Sequence, residues 1–202
     1  ARLHQNWTRE QWDHTLFCDE THICLYPDDR SVRRSGERMH NQFIREGHPY
    51  GGGSAMFWGG IMYGRRTPLI HIRGVMTGAF YRDNILAPNV KGYDDHFGPD
   101  LILVDDNARP YRAGIVNRYL EDNAIRRMEW PACSPDLNCI EQAWELLKKI
   151  SSRAHPPETL GLIVAAMEEW DNLPQVALNM LIRSMPGSIV ACIGQRGGHI
   201  RY

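Results

Sequence analysis

The chain has 202 residues, 43% of them hydrophobic and 23% charged, with a net charge of -1. That length suits one full hydrophobic core, and no apolar run reaches the ~18 residues of a membrane span. The near-neutral charge excludes a globally basic nucleic-acid binder, so any DNA contact must come from local clusters. The start, Ala1-Arg2-Leu3-His4, has no signal-peptide pattern and no methionine, which reads as a fragment of something longer. Cys18, Cys24, Cys133, Cys139 and Cys192 form no C-x-x-C pair, which argues against a disulfide framework or a zinc site and fits a reducing compartment.

Residues 1–14 read as a polar lead-in, with a short helix around Trp7–Trp12 capped by Asn6 or Thr8. Residues 15–19 are a predicted strand and 23–26 its partner after a turn, followed by a loop-rich stretch over 27–53. Residues 54–63 form an apolar strand. After the turn at Gly64–Pro68, residues 69–74 return antiparallel to it. A helix capped by Thr77 covers 77–87. The continuous apolar run at 101–105 predicts a central strand buried on both faces. A helix follows over 110–122, with Pro110 in its first turn, then a short strand at 125–130. Helices are predicted at about 139–150, 157–171 and 174–184, and residues 185–202 form a Gly-rich irregular tail. The order predicts an α/β fold: one domain over 1–202, with a mixed sheet flanked by helices.

Three acids stand out. Asp19 ends a hydrophobic strand, where an isolated acid most simply serves a turn. Asp106 directly follows the apolar 101–105 run, at the strand end where α/β proteins tend to place ligands. It serves equally as an Asx-turn or helix cap, roles that Asp105 and Asn107 fill as well. Glu141 stands three residues after Asn138, the spacing of a capping box. In the first turn of a helix its carboxylate also meets the positive end of the helix dipole, which favours the ionised form a metal ligand needs. Ile140, Ala143, Trp144, Leu147 and Ile150 make that helix's core stripe. Three carboxylates at one sheet rim repel one another. Divalent metal is the usual remedy, and paired metals held this way cut and join phosphodiester bonds.

Basic residues cluster locally. Arg30, Arg33, Arg34, Arg38 and Arg45 oppose only Glu37 within residues 30–45, Arg109 and Arg112 flank Asp106, and Lys148, Lys149 and Arg153 end the Glu141 helix. Each cluster reads either as phosphate contacts or as solvated surface. Trp7, Trp12, Trp58, Trp130, Trp144 and Trp170 read as core.

At these acids the chain resembles the catalytic domain of Tc/mariner-family transposases. FCDET is similar to their F-S-D-E-S strand, VDDNARPYRA to their Q-D-N-A-x-x-H segment, and WPACSPDLNCIEQAWELLK to their W-P-x-x-S-P-D-L-N-P-I-E-x-x-W stretch. The likeness extends through VRRSGER, GGGSAMFWGG and SMPGSIVACIGQRGGHIRY, in order, over nearly the whole chain. The 34 residues between Asp106 and Glu141, with glutamate third, resemble the Tc-type branch. The resemblance implies an RNase H-like fold and a DDE triad of Asp19, Asp106 and Glu141. Asp106 is preferred over Asp105 because the family's aspartate directly precedes Asn.

It further implies two Mg2+ or Mn2+ ions held by the triad, and nicking of transposon ends followed by joining to a TA target. The partner is then double-stranded DNA, with a homodimer of the full-length protein, a nuclear location and no membrane. The family's N-terminal helix-turn-helix region is absent from these residues. The chain departs from the family pattern at Tyr111 (usually His), Cys139 (usually Pro) and Asp105 (usually Gln). Those departures leave a catalytically decayed or domesticated DNA- or protein-binding module as the alternative. A third reading, another RNase H-like nuclease, is opposed by the S-P-D-L-N-C-I-E string.

Overall fold

The computed structural model describes residues 2–24, 54–91, 100–129, 137–154 and 159–195, with only the backbone of 149–154 and 159. A six-stranded mixed sheet forms its centre. Strands β1 (Thr15–Cys24), β2 (Ser54–Met62), β3 (Arg65–Arg66), β4 (Ile70–Ile72), β5 (Ile102–Val104) and β6 (Arg126–Arg127) stand in the order β3-β2-β1-β5-β6, and β4 also pairs with β2. The β1–β2, β2–β3 and β2–β4 pairs are antiparallel, while β1–β5 and β5–β6 are parallel.

The helices are α1 (Arg9–Asp13), α2 (Gly78–Phe80), α3 (Gly114–Asp122), α4 (Ile140–Ala154), α5 (Thr159–Asn172) and α6 (Gln175–Gly194). Thr8 caps α1 in a full capping box with Gln11. Thr77 caps α2 by accepting from the Phe80 amide at 3.1 Å.

The period-two side-chain pattern divides the core between the two faces of the sheet. Phe17, Ile23, Phe57 and Ile61 pack with Trp144, Leu147, Trp170, Leu178 and Ile182 from α4, α5 and α6. Leu16, Cys18, Trp58 and Met62 pack with Tyr81, Ile85, Tyr111 and Val116 on the other face. Strand β5, between β1 and the edge strand β6 rather than at the centre, is buried on both sides, as its apolar run predicts. Trp12, Trp58, Trp144 and Trp170 are core residues, Trp7 is half-buried against Trp12, and Trp130, also read as core, lies outside the described residues.

Four predicted boundaries move. β1 runs unbroken to Cys24, where a turn before a second strand at 23–26 was predicted. Thr21 and Ile23 are buried while His22 and Cys24 are exposed, the alternation of one half-buried strand. The helix after β5 starts at Gly114, and Pro110 lies in a turn closed by the Tyr111 and Arg112 amides donating to the Ala108 carbonyl. Past α2 the chain continues in π-helical turns over Tyr81–Val90, through Pro88. There the Asn89 side-chain amide donates to the carbonyls of Asn84 and Ile85.

The predicted irregular tail is helical as far as Gly194. Met185, Ile189 and Cys192 continue the buried stripe of Leu178 and Ile182, which outweighs the Pro186 and Gly187 breakers. At 20 residues with mean hydropathy 1.5, α6 is long and apolar enough to cross a membrane by length and composition alone, although Arg183 interrupts its apolar run. Its buried stripe belongs to the core against β2.

Candidate metal centre

Asp19 lies opposite Gly59 in the β1–β2 ladder, on the sheet face that packs against α4, and is 9% exposed. Phe17 is level with Val104 in the parallel β1–β5 pair. The chain leaving β5 therefore carries Asp105 and Asp106 past Asp19, midway along β1. Glu141 sits in the first turn of α4. Helix α4 packs on this face with Trp144 over Gly59 of β2, where a Cβ would come 2.8 Å from the indole ring and glycine leaves it the space. Trp144 in turn lies against Trp170, with ring centroids 5.1 Å apart.

The acids of β1, the 105–106 segment and α4 feel one another's charge. Burial pushes the Asp19 carboxyl up to about 8, and the Glu141 charge pushes the same way, with Glu20 and Asp106 adding to it. A buried acid that feels three other carboxylates is a site short of positive charge.

Asp106 is exposed, and its Oδ1 accepts from the Ala108 amide at 2.8 Å, so the Asx-turn reading holds locally. The helix-cap reading does not, since α3 begins only at Gly114. Asn107 takes the left-handed conformation at φ 67°, which Asn tolerates better than most residues.

Asp105 behaves differently from its neighbour. Its side chain is fully buried, with Arg112 at 3.1 Å and Arg127 at 2.9 Å. Burial raises its carboxyl, and the guanidinium groups of Arg127 and Arg112 pull it back. The extra negative charge expected beside the site is thus matched by two arginines. Arg112, whose cluster read either as a phosphate contact or as solvated surface, is engaged with Asp105 and Asn107.

The predicted capping box at α4 is not formed. The helix begins at Ile140, two residues after Asn138. The Asn138 side-chain amide donates to the Cys18 carbonyl at 3.4 Å, and its Oδ1 accepts nothing. Asn138 therefore ties the approach to α4 onto β1, one residue before Asp19. Cys139 is a small buried apolar residue there, its thiol pushed up by burial.

Sequence reasoning missed Glu20 and its partner. Glu20 points to the face opposite Asp19 and accepts from the Tyr111 hydroxyl. Burial pushes Glu20 up to about 7, against the lowering effect of that hydrogen bond. The only available signal was the departure at Tyr111 itself.

Arg109 is exposed in the turn after Asp106. Arg30, Arg33, Arg34 and Arg38 lie outside the described residues. Among the described residues, no three His, Cys, Asp or Glu side chains are drawn close enough to hold an ion as they stand. The chemistry of the donor set nevertheless fits a hard divalent cation: Asp19, Asp106 and Glu141 offer only carboxylate oxygens.

Residues 14–160 match the family described as DDE superfamily endonuclease. The Tcb1 transposase of Caenorhabditis briggsae is 27% identical over 208 residues, covering 100% of this chain and 75% of the relative. The catalytic domain of Mos1 mariner transposase superposes with a TM-score of 0.69–0.70 at 13–14% identity, covering 99% of this chain. The chain spans 89% of the isolated Mos1 domain but only 60% of the Mos1 chain in its paired end complex with Mn, which has a TM-score of 0.69 and 14% identity. The shared fold is the RNase H-like one implied by the sequence resemblance. The chain belongs to the DDE superfamily endonucleases, as the DDE domain of the Tc/mariner transposase kind.

Proposed function

We propose that Asp19, Asp106 and Glu141 form the catalytic triad of a metal-dependent DNA strand cleavage and strand transfer centre. The observation that carries this is the parallel β1–β5 register, which sets Phe17 level with Val104 and so brings Asp106 alongside the buried Asp19, on the sheet face that packs against α4. Asp19 is the buried member and Asp106 the exposed one. Glu141 closes the site from the helix side, in the first turn of α4. Magnesium or manganese, expected as two ions, would supply activation of an attacking water or DNA 3′-hydroxyl and stabilise the leaving oxygen.

The chain's own part is positioning. Strand β1 fixes Asp19, the 105–111 turn fixes Asp106, and packing of Trp144 on Gly59 fixes Glu141. The Mos1 paired end complex with Mn supports the choice of metal and of DNA ends as partner. On this reading the domain works in the nucleus, within a homodimeric protein acting on transposon ends and a TA target. The three departures from the family pattern do not oppose activity: Asp105 has its arginines, Tyr111 has Glu20, and Cys139 is core.

The test is manganese-dependent strand cleavage on a duplex with a pre-formed nick at a transposon end. Cleavage by the chain that falls to background in Asp19→Ala supports the reading. Equal cleavage by both proteins overturns it.

A further inference from the structure

We propose that Arg127 is a positioning residue for the metal centre, holding the 105–111 turn at both ends and so setting where Asp106 stands. The proposal rests on the triad reading above. Arg127 lies on the edge strand β6 with its side chain 13% exposed. Its Nη2 donates to the Tyr111 carbonyl at 2.8 Å, and its Nη1 donates to Asn117 Oδ1, also at 2.8 Å. Its Nε lies 2.9 Å from Asp105 Oδ2, close as an ion pair but not aligned as a hydrogen bond. One planar fork thus joins the start of the turn, its end, and helix α3.

The other Asp105 oxygen continues the brace. It accepts from Arg112 Nη2 at 3.1 Å and from the Asn107 amide at 3.3 Å. Asp106 is therefore enclosed in sequence by two residues that the same network fixes. At the far end, the Tyr111 hydroxyl reaches Glu20, the residue after Asp19 on β1. The network links the two segments that carry the aspartates of the triad.

Buried ion pairs of this kind add little dependable stability, because desolvation offsets their attraction. Partners that orient metal ligands, by contrast, change metal affinity by about 10–100-fold when removed. The geometry here matches the second role: the aligned hydrogen bonds of the fork go to the backbone and α3, and the charge goes to Asp105.

The sign of the effect tests the proposal. Mn2+ binding to the 202-residue chain is measured from the free-ion electron paramagnetic resonance signal, with thermal melts alongside. If Arg127 acted only through its charge, Arg127→Gln would remove a cation near the site and tighten Mn2+ binding. As a positioning residue, its loss weakens binding by about tenfold or more. Arg127→Lys keeps the charge and loses the fork, and weakens binding too. Unchanged or tighter binding in Arg127→Gln overturns the proposal. Should Arg127→Gln fail to fold, Arg127→Lys decides, with wild-type affinity overturning it. Asp106→Ala separates the two claims: if it binds Mn2+ like the wild type, the triad reading itself has failed. If it loses Mn2+ while Arg127→Gln does not, only the positioning role falls.

Discussion

Gly59 and Trp144 meet across the sheet face that carries Asp19: a Cβ at Gly59 would lie 2.8 Å from the Trp144 ring and 3.3 Å from that of Trp170. The contact sets how closely α4, and with it Glu141, approaches β1. Gly59→Ala should therefore force two packed indoles to shift, at a cost of about 1–3 kcal/mol. Denaturant unfolding checks the stability. A Gly59→Ala protein as stable as the wild type would show that α4 is not held by this contact.

The acid cluster makes the metal-free protein sensitive to pH. Asp19 is pushed up to about 8 and Glu20 up to about 7, in each case first by burial. A carboxyl raised in this way contributes stability that is whole below its unfolded pKa of about 4 and is lost as pH rises through the folded value. Without metal, the melting temperature should fall by roughly 5 °C or more between about pH 5 and about pH 9. Asp19→Asn should flatten that fall. Added Mn2+ should raise the melting temperature at the alkaline end in the wild type and much less in Asp19→Asn. Melting curves that do not move with pH would contradict the crowding of these acids.

Tyr111→Phe removes the hydroxyl that Glu20 accepts from and leaves a largely buried carboxylate without that donor. The expected loss is about 1–3 kcal/mol where Glu20 is ionised, and less at acid pH where it is protonated. Unfolding measured on both sides of neutrality separates this from simple loss of packing, which would cost the same at both.

Ile189 tests the end of α6. It is 1% exposed and packs in the core formed with α4 and α5. Ile189→Ala should cost about 2–5 kcal/mol, as a core deletion does. A negligible change would mean that this part of the chain contributes no core.

The sequence disclosed the sheet and the three acids because those signals are local. The apolar 101–105 run predicts a strand buried on both faces, which the structure forms over Ile102–Val104, and Asp106 follows the run directly. Asp19 read as an acid serving a turn at the end of a strand over 15–19, but in a pleated strand Asp19 and Glu20 face opposite sides, so β1 accommodates both and continues. Residues 185–202 read as a Gly-rich irregular tail, and the helix persists to Gly194 because Met185, Ile189 and Cys192 have a core to enter. Asp105 looked like surplus charge since its partner, Arg127, lies on a strand that parallel pairing brings next to β5. No local pattern announces a pairing at that separation.

The central claim is that Asp106, and not Asp105, joins Asp19 and Glu141 around divalent metal. Anomalous diffraction from manganese-soaked crystals of the chain tests it most directly. The account predicts manganese peaks within about 2.3 Å of carboxylate oxygens of Asp19, Asp106 and Glu141, with Asp105 still on Arg127. Manganese bound through Asp105, or absent from all three acids, would contradict it.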